Sequence, residues 1–266
     1  IKKSYSPASN DIEVSDTEKK NMYEKMKKQY FALNNGGYRA VDAIIFNVKP
    51  SQQDYEDAKA GMEEMKEQIK NADEADLKLI FSDPSSVFAY NNFFRSEKDI
   101  ETAFQSFAFN AKKDSVSDVI FEGGDFMVAR KMDDVKMAPD SANISLIVLA
   151  AATEDEVKQK ADSINKCLSN GEKFEDLAAK HSLDKNTAEK GGEIGWVKEG
   201  FPLGTDDFDA KVFGGAKKGD IFTFDMPENQ MTFIVKVNNL TTPVRKAKIL
   251  VYGSKLEPST DTYTDM

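Results

Sequence analysis

The amino-acid sequence predicts an α+β protein built from two lobes, each with its own hydrophobic core. The chain has 266 residues, about twice the length of an ordinary small domain. β-Rich runs alternate with amphipathic helices that begin at capping boxes, and two such series follow one another along the chain. Each series ends in a β-rich hairpin, so strands and helices are mixed in both halves.

The overall composition excludes several classes of partner and site. Hydrophobic residues make up 40% of the chain and charged residues 31%, a balance typical of folded globular proteins. The longest nearly apolar run, Ile144 to Ala152, is well short of the ~20 residues that a membrane helix needs. A net charge of -10 argues against nucleic acid or an anionic membrane surface as the main partner. Because Cys167 and His181 are the only cysteine and histidine, we expect no internal disulfide and no zinc site. The calcium-like stretch from Asp184 has Glu189 and Gly195 where a calcium loop needs Gly and Glu, and no GxGxxG or P-loop motif occurs, so we expect no metal and no cofactor.

Residues 1–36 are predicted to form an N-terminal helical segment. Ser15 and Glu18 form a capping box at its start. The apolar residues that follow recur at helical spacing: Met22, Met26, Tyr30 and Leu33. Since the chain begins at Ile1 without a signal-peptide pattern, we expect a piece of a longer protein, with any anchor or targeting signal lying elsewhere.

Residues 37–135 and 141–240 are predicted to be two copies of one α+β unit. The capping residues Ser51 and Thr153 are 102 residues apart, and an acidic residue follows each of them three positions later. The apolar stripes of the two capped helices are Tyr55, Ala58, Met62, Met65 and Ile69 in the first copy, and Val157, Ala161, Ile164 and Leu168 in the second.

The ends of the two copies also match. A hairpin is predicted from Val119 to Met132 in the first copy and from Ile221 to Val237 in the second. The stretch VKMAPDSA, which contains Pro139, is the predicted linker between them. Chance similarity between two α+β halves is the alternative interpretation.

Four motifs follow one another in the second copy. They are GEKFEDLAAKHS from Gly171, KGGEIGW from Lys190, the spaced residues Phe208, Ala210 and Phe213, and a last strand MTFIVKV from Met231. This succession resembles the parvulin-type peptidyl-prolyl cis-trans isomerases (rotamases), in the family's order and near its spacing. The resemblance implies an antiparallel sheet flanked by helices over residues 141–240.

The wider arrangement resembles the periplasmic foldases of the PpiD and SurA type, in which parvulin domains are joined to helical chaperone segments. This resemblance implies that residues 37–135 are a degenerate parvulin-like or chaperone domain and that residues 241–266 are a C-terminal extension. It also implies a periplasmic location with an inner-membrane anchor in the full-length protein. The membrane would then be contacted only through that anchor, and the partners would be unfolded or proline-containing polypeptides.

The resemblance further implies a proline-binding pocket with a polar residue beside it. Matched position by position, the pocket falls to Ile194, Leu203 and Phe208. Asp184 falls near the position where the family carries a Cys or Asp beside the substrate bond. Two alternatives stay open, because the apolar residues could serve core packing alone and Asp184 could cap a loop.

The family's two buried histidines are absent from this sequence. Their positions on the first and last strands hold Ile144, or Ser145 if the register slips by one, and Phe233. His181 belongs to a helix end, where a basic group meets the carbonyl end of the helix dipole, so no shift of register restores the pair. A hydrogen-bonded imidazole network therefore cannot form here.

These observations favour a folding factor that binds unfolded polypeptide and has weak or no isomerase activity. Apolar replacement of both histidines can leave the fold intact while it removes the polar centre of the site. One alternative is an active peptidyl-prolyl isomerase that uses Asp184 and the pocket alone. Another is a structural spacer that holds other domains apart.

Overall fold

The structure, a computed structural model, describes residues 14–30, 47–203 and 207–264. It divides the chain into two compact units, residues 1–47 and 48–266. Within the described ranges, no helix combines the length and the apolar character that crossing a membrane requires.

Helix α1 (Asp16–Tyr30) lies in the first unit. It begins with the predicted capping box: the backbone N–H of Ser15 donates to Glu18 Oε2 at 2.9 Å, and that of Glu18 donates to Ser15 Oγ at 3.3 Å. This prediction is confirmed. The predicted helix end at Leu33 and most of the β-rich run from Tyr38 lie outside the described residues.

The second unit contains two lobes. The first lobe comprises α2 (Gln52–Asn71), α3 (Glu74–Phe81), β1 (Arg95–Ser96), α4 (Thr102–Asn110), β2 (Ile120–Glu122) and β3 (Asp125–Pro139). The second lobe comprises β4 (Ala142–Ala150), α5 (Glu154–Ser169), α6 (Phe174–His181), α7 (Lys185–Ala188), β5 (Glu193–Val197), α8 (Asp207–Phe213), β6 (Ile221–Met226) and β7 (Met231–Leu240). The chain then returns to the first lobe as β8 (Pro243–Lys255) and α9 (Thr260–Thr264).

Each lobe has its own four-stranded antiparallel sheet. The strand order is β1-β8-β3-β2 in the first lobe and β5-β4-β7-β6 in the second. Both sheets place a hairpin at one edge, a long strand beside it and a short strand at the other edge. In this arrangement β8 occupies in the first sheet the place that β4 occupies in the second. The internal repeat itself stays a prediction.

The predicted helical stripes pack into these two lobes. Met62 and Ile69 of α2 are buried against Phe126 and Leu250 of the first sheet. In the second lobe the stripe of α5, including Val157, is buried against Ile147, Leu149 and Ile234. The predictions of which faces of α2 and α5 are buried are therefore confirmed. Both predicted hairpins also form.

The predicted linker VKMAPDSA differs from the expectation, because most of it is strand. Strand β3 continues to Pro139 and pairs there with Pro243 of β8. Only Asp140 and Ser141 separate β3 from β4. The partner that keeps this stretch extended lies more than a hundred residues later in the chain, so local composition does not reveal it. Both prolines lie at strand ends, where a missing N–H is tolerated.

A buried ion triad joins the lobes. Lys136 of β3 and Lys246 of β8 are cross-strand partners, a placement at which like charges repel. Glu199, which follows β5 in the second lobe, lies between them, with Oε1 2.6 Å from Lys136 Nζ and Oε2 2.5 Å from Lys246 Nζ. The side chains of Glu199 and Lys246 are only 2% and 1% exposed. Each therefore depends on the other for a counter-charge.

The C-terminal segment also caps the first helix of its lobe. Asp54 of α2 accepts hydrogen bonds from the Ser259 N–H at 3.2 Å and the Thr262 hydroxyl at 2.6 Å, as well as from the Ser51 N–H at 2.7 Å. These hydrogen bonds, foremost that from Ser259, hold the pKa of Asp54 well below its usual range. The predicted capping box at Ser51 thus also fastens the end of the chain.

Replacing Asp54 with Asn should remove a pH-dependent part of the stability. A carboxyl whose pKa is lowered by folding contributes stability above its unfolded pKa of ~4 and loses it as the pH falls through the lower folded value. The stability advantage of the wild-type chain over Asp54→Asn should therefore shrink below pH ~4. Urea midpoints across pH measure it, and Asp57→Asn, an exposed site on the same helix, is the control. The same pH profile for both variants would contradict the assignment.

Replacing Glu199 with Gln should destabilise the chain strongly, because two lysines would lose their shared counter-charge. Breaking a buried ion pair from one side costs ~3–5 kcal/mol. Lys198→Gln is the matched control at the same lobe boundary, since its pair with Asp99, at 2.6 Å, is partly exposed and should contribute only ~0–1 kcal/mol. Urea unfolding measures both. Equal, small losses for the two variants would show that the triad does not hold the lobes together.

Candidate functional site

One face of the second sheet is apolar across three strands. Successive residues of a strand point to opposite faces, so Ile144, Leu146 and Val148 of β4 share one face. Val148 is paired with Phe233 of β7, and Phe233 in turn with Phe224 of β6. The next row has the same character: Leu146, Val235 and Phe222. Helix α8 packs on this face.

This face is not sealed completely. Seven apolar residues packed against its core remain half-buried, and the five of interest here are Val148, Ile194, Phe201, Phe222 and Phe233. We call the surface that these five residues form the apolar face site. It offers hydrophobic contact to a partner, whereas the buried residues beneath it supply rigidity.

The predicted pocket residues join this core but are not equally accessible. Ile194 is half-buried, whereas Leu203 is 5% exposed and Phe208 1% exposed. Phe208 lies among other rings, with centroid distances of 5.7 Å to Phe201 and 5.7 Å to Phe224. In this structure Leu203 and Phe208 are therefore enclosed in the core and not open to a ligand. Aromatic packing from α8 against β6 encloses Phe208, which agrees with its alternative role in core packing. A role of these residues in a proline pocket stays a prediction.

Asp184 caps a helix in this structure. It precedes α7, and its carboxylate accepts from the Asn186 N–H at 3.1 Å and the Thr187 hydroxyl at 2.6 Å. The segment before it runs beside the apolar face site, because the Leu183 N–H donates to the Val148 carbonyl at 2.8 Å. Asp184 therefore lies next in sequence to the site, with both carboxylate oxygens engaged.

The two positions predicted to replace the family's histidines do not face each other. Ile144 is fully buried opposite Val237, whereas Phe233 is opposite Val148. Ser145, the alternative position, points to the other face and accepts a hydrogen bond from Asn238. The β4 residues that flank Phe233 are Val148, directly opposite, and Leu146, on the diagonal, and the assignment of Ile144 and Phe233 to the family's histidine positions stays a prediction.

No imidazole reaches this face. His181 ends α6 and is exposed, as its position in the sequence predicted. Among the described residues there is no group of three or more His, Cys, Asp or Glu side chains that could hold a metal ion. The two rows of paired residues across β4, β7 and β6 contain no acid, base or nucleophile. The apolar face site therefore offers hydrophobic contact only.

Glycine permits the close approach of β5 to β4. Gly192 has φ +78°, and a Cβ there would lie 2.4 Å from the Leu146 carbonyl oxygen. The same backbone carries a hydrogen bond from the Leu146 N–H to the Gly192 carbonyl, at 2.8 Å. The GGEIGW motif therefore sets the path of the strand that carries Ile194.

The loop after β5 is held by the first lobe. Gly200 has φ +83° and lies so close to the Phe93 ring that a Cβ would approach it to 2.4 Å. Its N–H donates to Asp209 Oδ2 of α8 at 2.8 Å, and burial raises the pKa of Asp209. Together with Glu199, these contacts fix both ends of the stretch that leads from β5 to Phe208.

Sequence reasoning missed two parts of this arrangement. Leu146 and Val148 could have been found, because alternation along β4 places them on the same face as Ile144. The contacts of Glu199 with Lys136 and Lys246 could not, because residues far apart in the chain meet only after both sheets have formed.

A designed pair of histidines should test the strand register. Val148→His with Phe233→His puts two imidazoles on directly opposed residues, with Cβ atoms ~4.5–5.5 Å apart, close enough to share Ni²⁺. Ile144→His with Phe233→His is the matched control, because its residues are offset by four positions, roughly 13 Å along the strand. Ni²⁺ should raise the urea midpoint of the first variant only. Stabilisation of the control instead would contradict the register.

Comparison with known proteins bears on the identity of this domain. Residues 127–241 match the family described as PPIC-type PPIASE domain. Chaperone SurA of Methylococcus capsulatus is 27% identical over 206 residues, covering 73% of this chain and 45% of that protein. Foldase protein PrsA of Bacillus subtilis is 52% identical over 44 residues, 16% of this chain and 15% of that protein. The chain thus matches less than half the length of either relative.

Among solved structures, the peptidylprolyl isomerase PrsA of Bacillus anthracis is 26% identical and covers 48% of each chain, with a TM-score of 0.30. This score is low, so the assignment depends on the sequence match and on the order of motifs within it. The match spans the four motifs of the second lobe and ends just after β7. Residues 127–241 of this chain are therefore a PPIC-type, or parvulin-type, peptidyl-prolyl isomerase domain by family.

Proposed function

We propose that this chain is a protein-folding factor that binds unfolded polypeptide through the apolar face site and has weak or no isomerase activity. The observation that carries the proposal is the row formed by Val148, Phe233 and Phe224. Phe233 stands at the position that the resemblance assigns to the family's histidine on the last strand, and its neighbours on the adjacent strands, Val148 and Phe224, are also hydrocarbon side chains. The face therefore keeps an apolar surface and lacks groups that exchange protons or hydrogen bonds with an amide.

Isomerase activity depends on stabilising a twisted amide. The barrier to rotation about the peptide bond is ~18–20 kcal/mol, and a catalyst must favour the twisted form over both planar forms. Apolar contact holds a prolyl ring but does not distinguish these forms well. The alternative that uses Asp184 finds little support, because both of its carboxylate oxygens already accept hydrogen bonds from α7.

Binding of extended polypeptide fits the exposed part of the site. Ile194, Phe201 and Phe222 are half-buried apolar groups on a preformed face, which is the usual composition of a peptide-binding surface. A structural spacer would have no need of such a surface, so this observation favours binding over the spacer alternative. The clients proposed are unfolded or proline-containing chains.

We also propose a location outside the cytoplasm, as for the foldases that the chain resembles. The resemblance to the PpiD and SurA type, together with the similarity to proteins named chaperone SurA and foldase PrsA, supports this placement. Attachment to the inner membrane in the full-length protein, and a PpiD-type architecture, belong to the same proposal. Fractionation of cells that express the full-length protein tests both.

Two assays on the whole chain separate the proposed activities. The unmodified chain should cause little exchange broadening of a proline tetrapeptide in NMR, but should suppress aggregation of a denatured client. Ile194→Ser with Phe222→Ser should weaken client binding, and with it that suppression, more than tenfold, since each change removes apolar contact worth ~1–2 kcal/mol. Trp196→Ser is the matched control, because Trp196 is exposed and pairs with Asn143 on the opposite face.

Two outcomes would overturn this proposal. Robust exchange by the unmodified chain that Asp184→Ala abolishes would establish the isomerase alternative. Suppression of aggregation that falls as much in Trp196→Ser as in the face variant would show that the apolar face site is not where clients bind. Circular dichroism of every variant confirms that the fold persists.

A further inference from the structure

A concave site of ≈ 370 Å³ lies on the other side of β4 from the apolar face site. It lies between α5, the end of α6 and the segment before α7. Its lining residues are Leu149, Ala150, Lys160, Ser163, Ile164, Cys167, Lys180, His181, Leu183 and Lys185. We call it the basic cavity. Its volume is at the lower end of the range for small-molecule sites.

The floor of the basic cavity is aliphatic. Leu149 of β4 and Ile164 of α5 are buried members of the helix-side core. Leu183 forms an exposed lip beside them. The backbone of Leu183 is held in place, because its N–H donates a hydrogen bond to the Val148 carbonyl at 2.8 Å. The cavity therefore has a preformed place for a short aliphatic group.

Its rim is cationic, and two of its ammonium groups are held in position. Lys160 Nζ donates to the Ala150 carbonyl at 3.1 Å, and Lys185 Nζ donates to the Ser182 carbonyl at 3.0 Å. Each ammonium has three N–H donors, so both keep donors for a ligand. Lys180 makes no ion pair or side-chain hydrogen bond with any residue in the described ranges.

The rim is unusual for this chain. None of the ten lining residues is an acid, although the chain as a whole carries a net charge of -10. Two acids lie close to the rim: Asp184 caps α7, and a hydrogen bond with Glu172 raises the pKa of the Cys167 thiol. The three lysines of the lining outnumber these two carboxylates, so the local charge still favours an anion.

We propose that the basic cavity binds a small carboxylate attached to an aliphatic group. The aliphatic part would lie on Leu149 and Ile164, and the carboxylate would accept hydrogen bonds from the lysine rim. A free fatty acid and the terminal residue of a peptide share this chemistry, and the probes below distinguish them. The site goes beyond the proposed polypeptide-binding function and does not need it, because no client protein is part of its test.

The chain carries two unique reporters in this cavity. His181 is the only histidine and Cys167 the only cysteine, and both line it. The imidazole NMR signals of His181 and the rate of thiol labelling at Cys167 therefore report on this site alone. Neither reporter is part of the apolar face site, so failure here and failure of the proposed function are distinguishable.

Four probes test the two parts of the proposal on the whole chain. N-acetylleucine carries both the aliphatic group and the carboxylate and should shift the His181 signals saturably and slow labelling of Cys167. N-acetylleucinamide lacks the charge, and inorganic phosphate lacks the aliphatic group, so both should act much more weakly. Tighter binding of octanoate than of N-acetylleucine would identify the fatty acid as the source, and the reverse would identify the peptide terminus.

A matched pair of variants shows whether the lysine rim is responsible. Lys180→Gln should weaken N-acetylleucine binding about fivefold, the equivalent of ~1 kcal/mol for a partly exposed ion pair. Lys158→Gln makes the same charge change on α5 but does not line the cavity, and should leave binding unchanged. Equal weakening by both variants, equal shifts with the amide or with phosphate, or the absence of a saturable shift would each overturn the proposal.

Discussion

Two lysines placed directly opposite each other set the constraint that unites the lobes. Lys136 and Lys246 are neighbours across the β3–β8 ladder, where like charges destabilise a sheet. Among the described residues, Lys246 forms an ion pair only with Glu199, which belongs to the second lobe. The counter-charge for this lysine of the first lobe therefore comes from the second lobe. The ion triad thus compensates the like charges of Lys136 and Lys246 where β3 pairs with β8. Since Glu199 lies in the loop from β5 to α8, the same triad also positions that loop beside the apolar face site.

The apolar face site is consistent with the energetics of losing a polar network. A buried network with one member removed leaves an unpaired donor or acceptor, which costs ~1–3 kcal/mol, whereas replacement of both partners by hydrocarbon can be neutral. Here no polar partner is left unpaired, because Phe233 and the residues that flank it, Val148, Leu146 and Phe224, are all hydrocarbon. The scaffold is therefore maintained by hydrophobic packing. Under the function proposed here, its surface would keep the part of the family's chemistry that binds a chain and lack the part that polarises an amide.

Local patterns predicted the elements, and long-range pairing decided their arrangement. The capping boxes at Ser51 and Thr153 and the stripes behind them depend on neighbours three or four residues apart, so they could be found in the sequence. The place of β8 depends on partners more than a hundred residues away, so a segment predicted as an extension became a central strand. At the site, motif order located the domain, whereas burial of Phe208 depends on how α8 packs on β6.

Strand β4 links the two proposed sites, because alternation sends its side chains to both faces of one sheet. Val148 lies in the apolar face site, and Leu149, the next residue, forms the floor of the basic cavity. The backbone between α6 and α7 is fastened to the same point, since Val148 exchanges hydrogen bonds with Ser182 and Leu183. Leu183 and Lys185 line the cavity, whereas Asp184 between them lies near the position at which the family resemblance implies a polar residue. The two proposed sites therefore share the backbone of β4 and the segment from Ser182 to Lys185, so the packing that fixes the apolar face site also fixes this wall of the basic cavity.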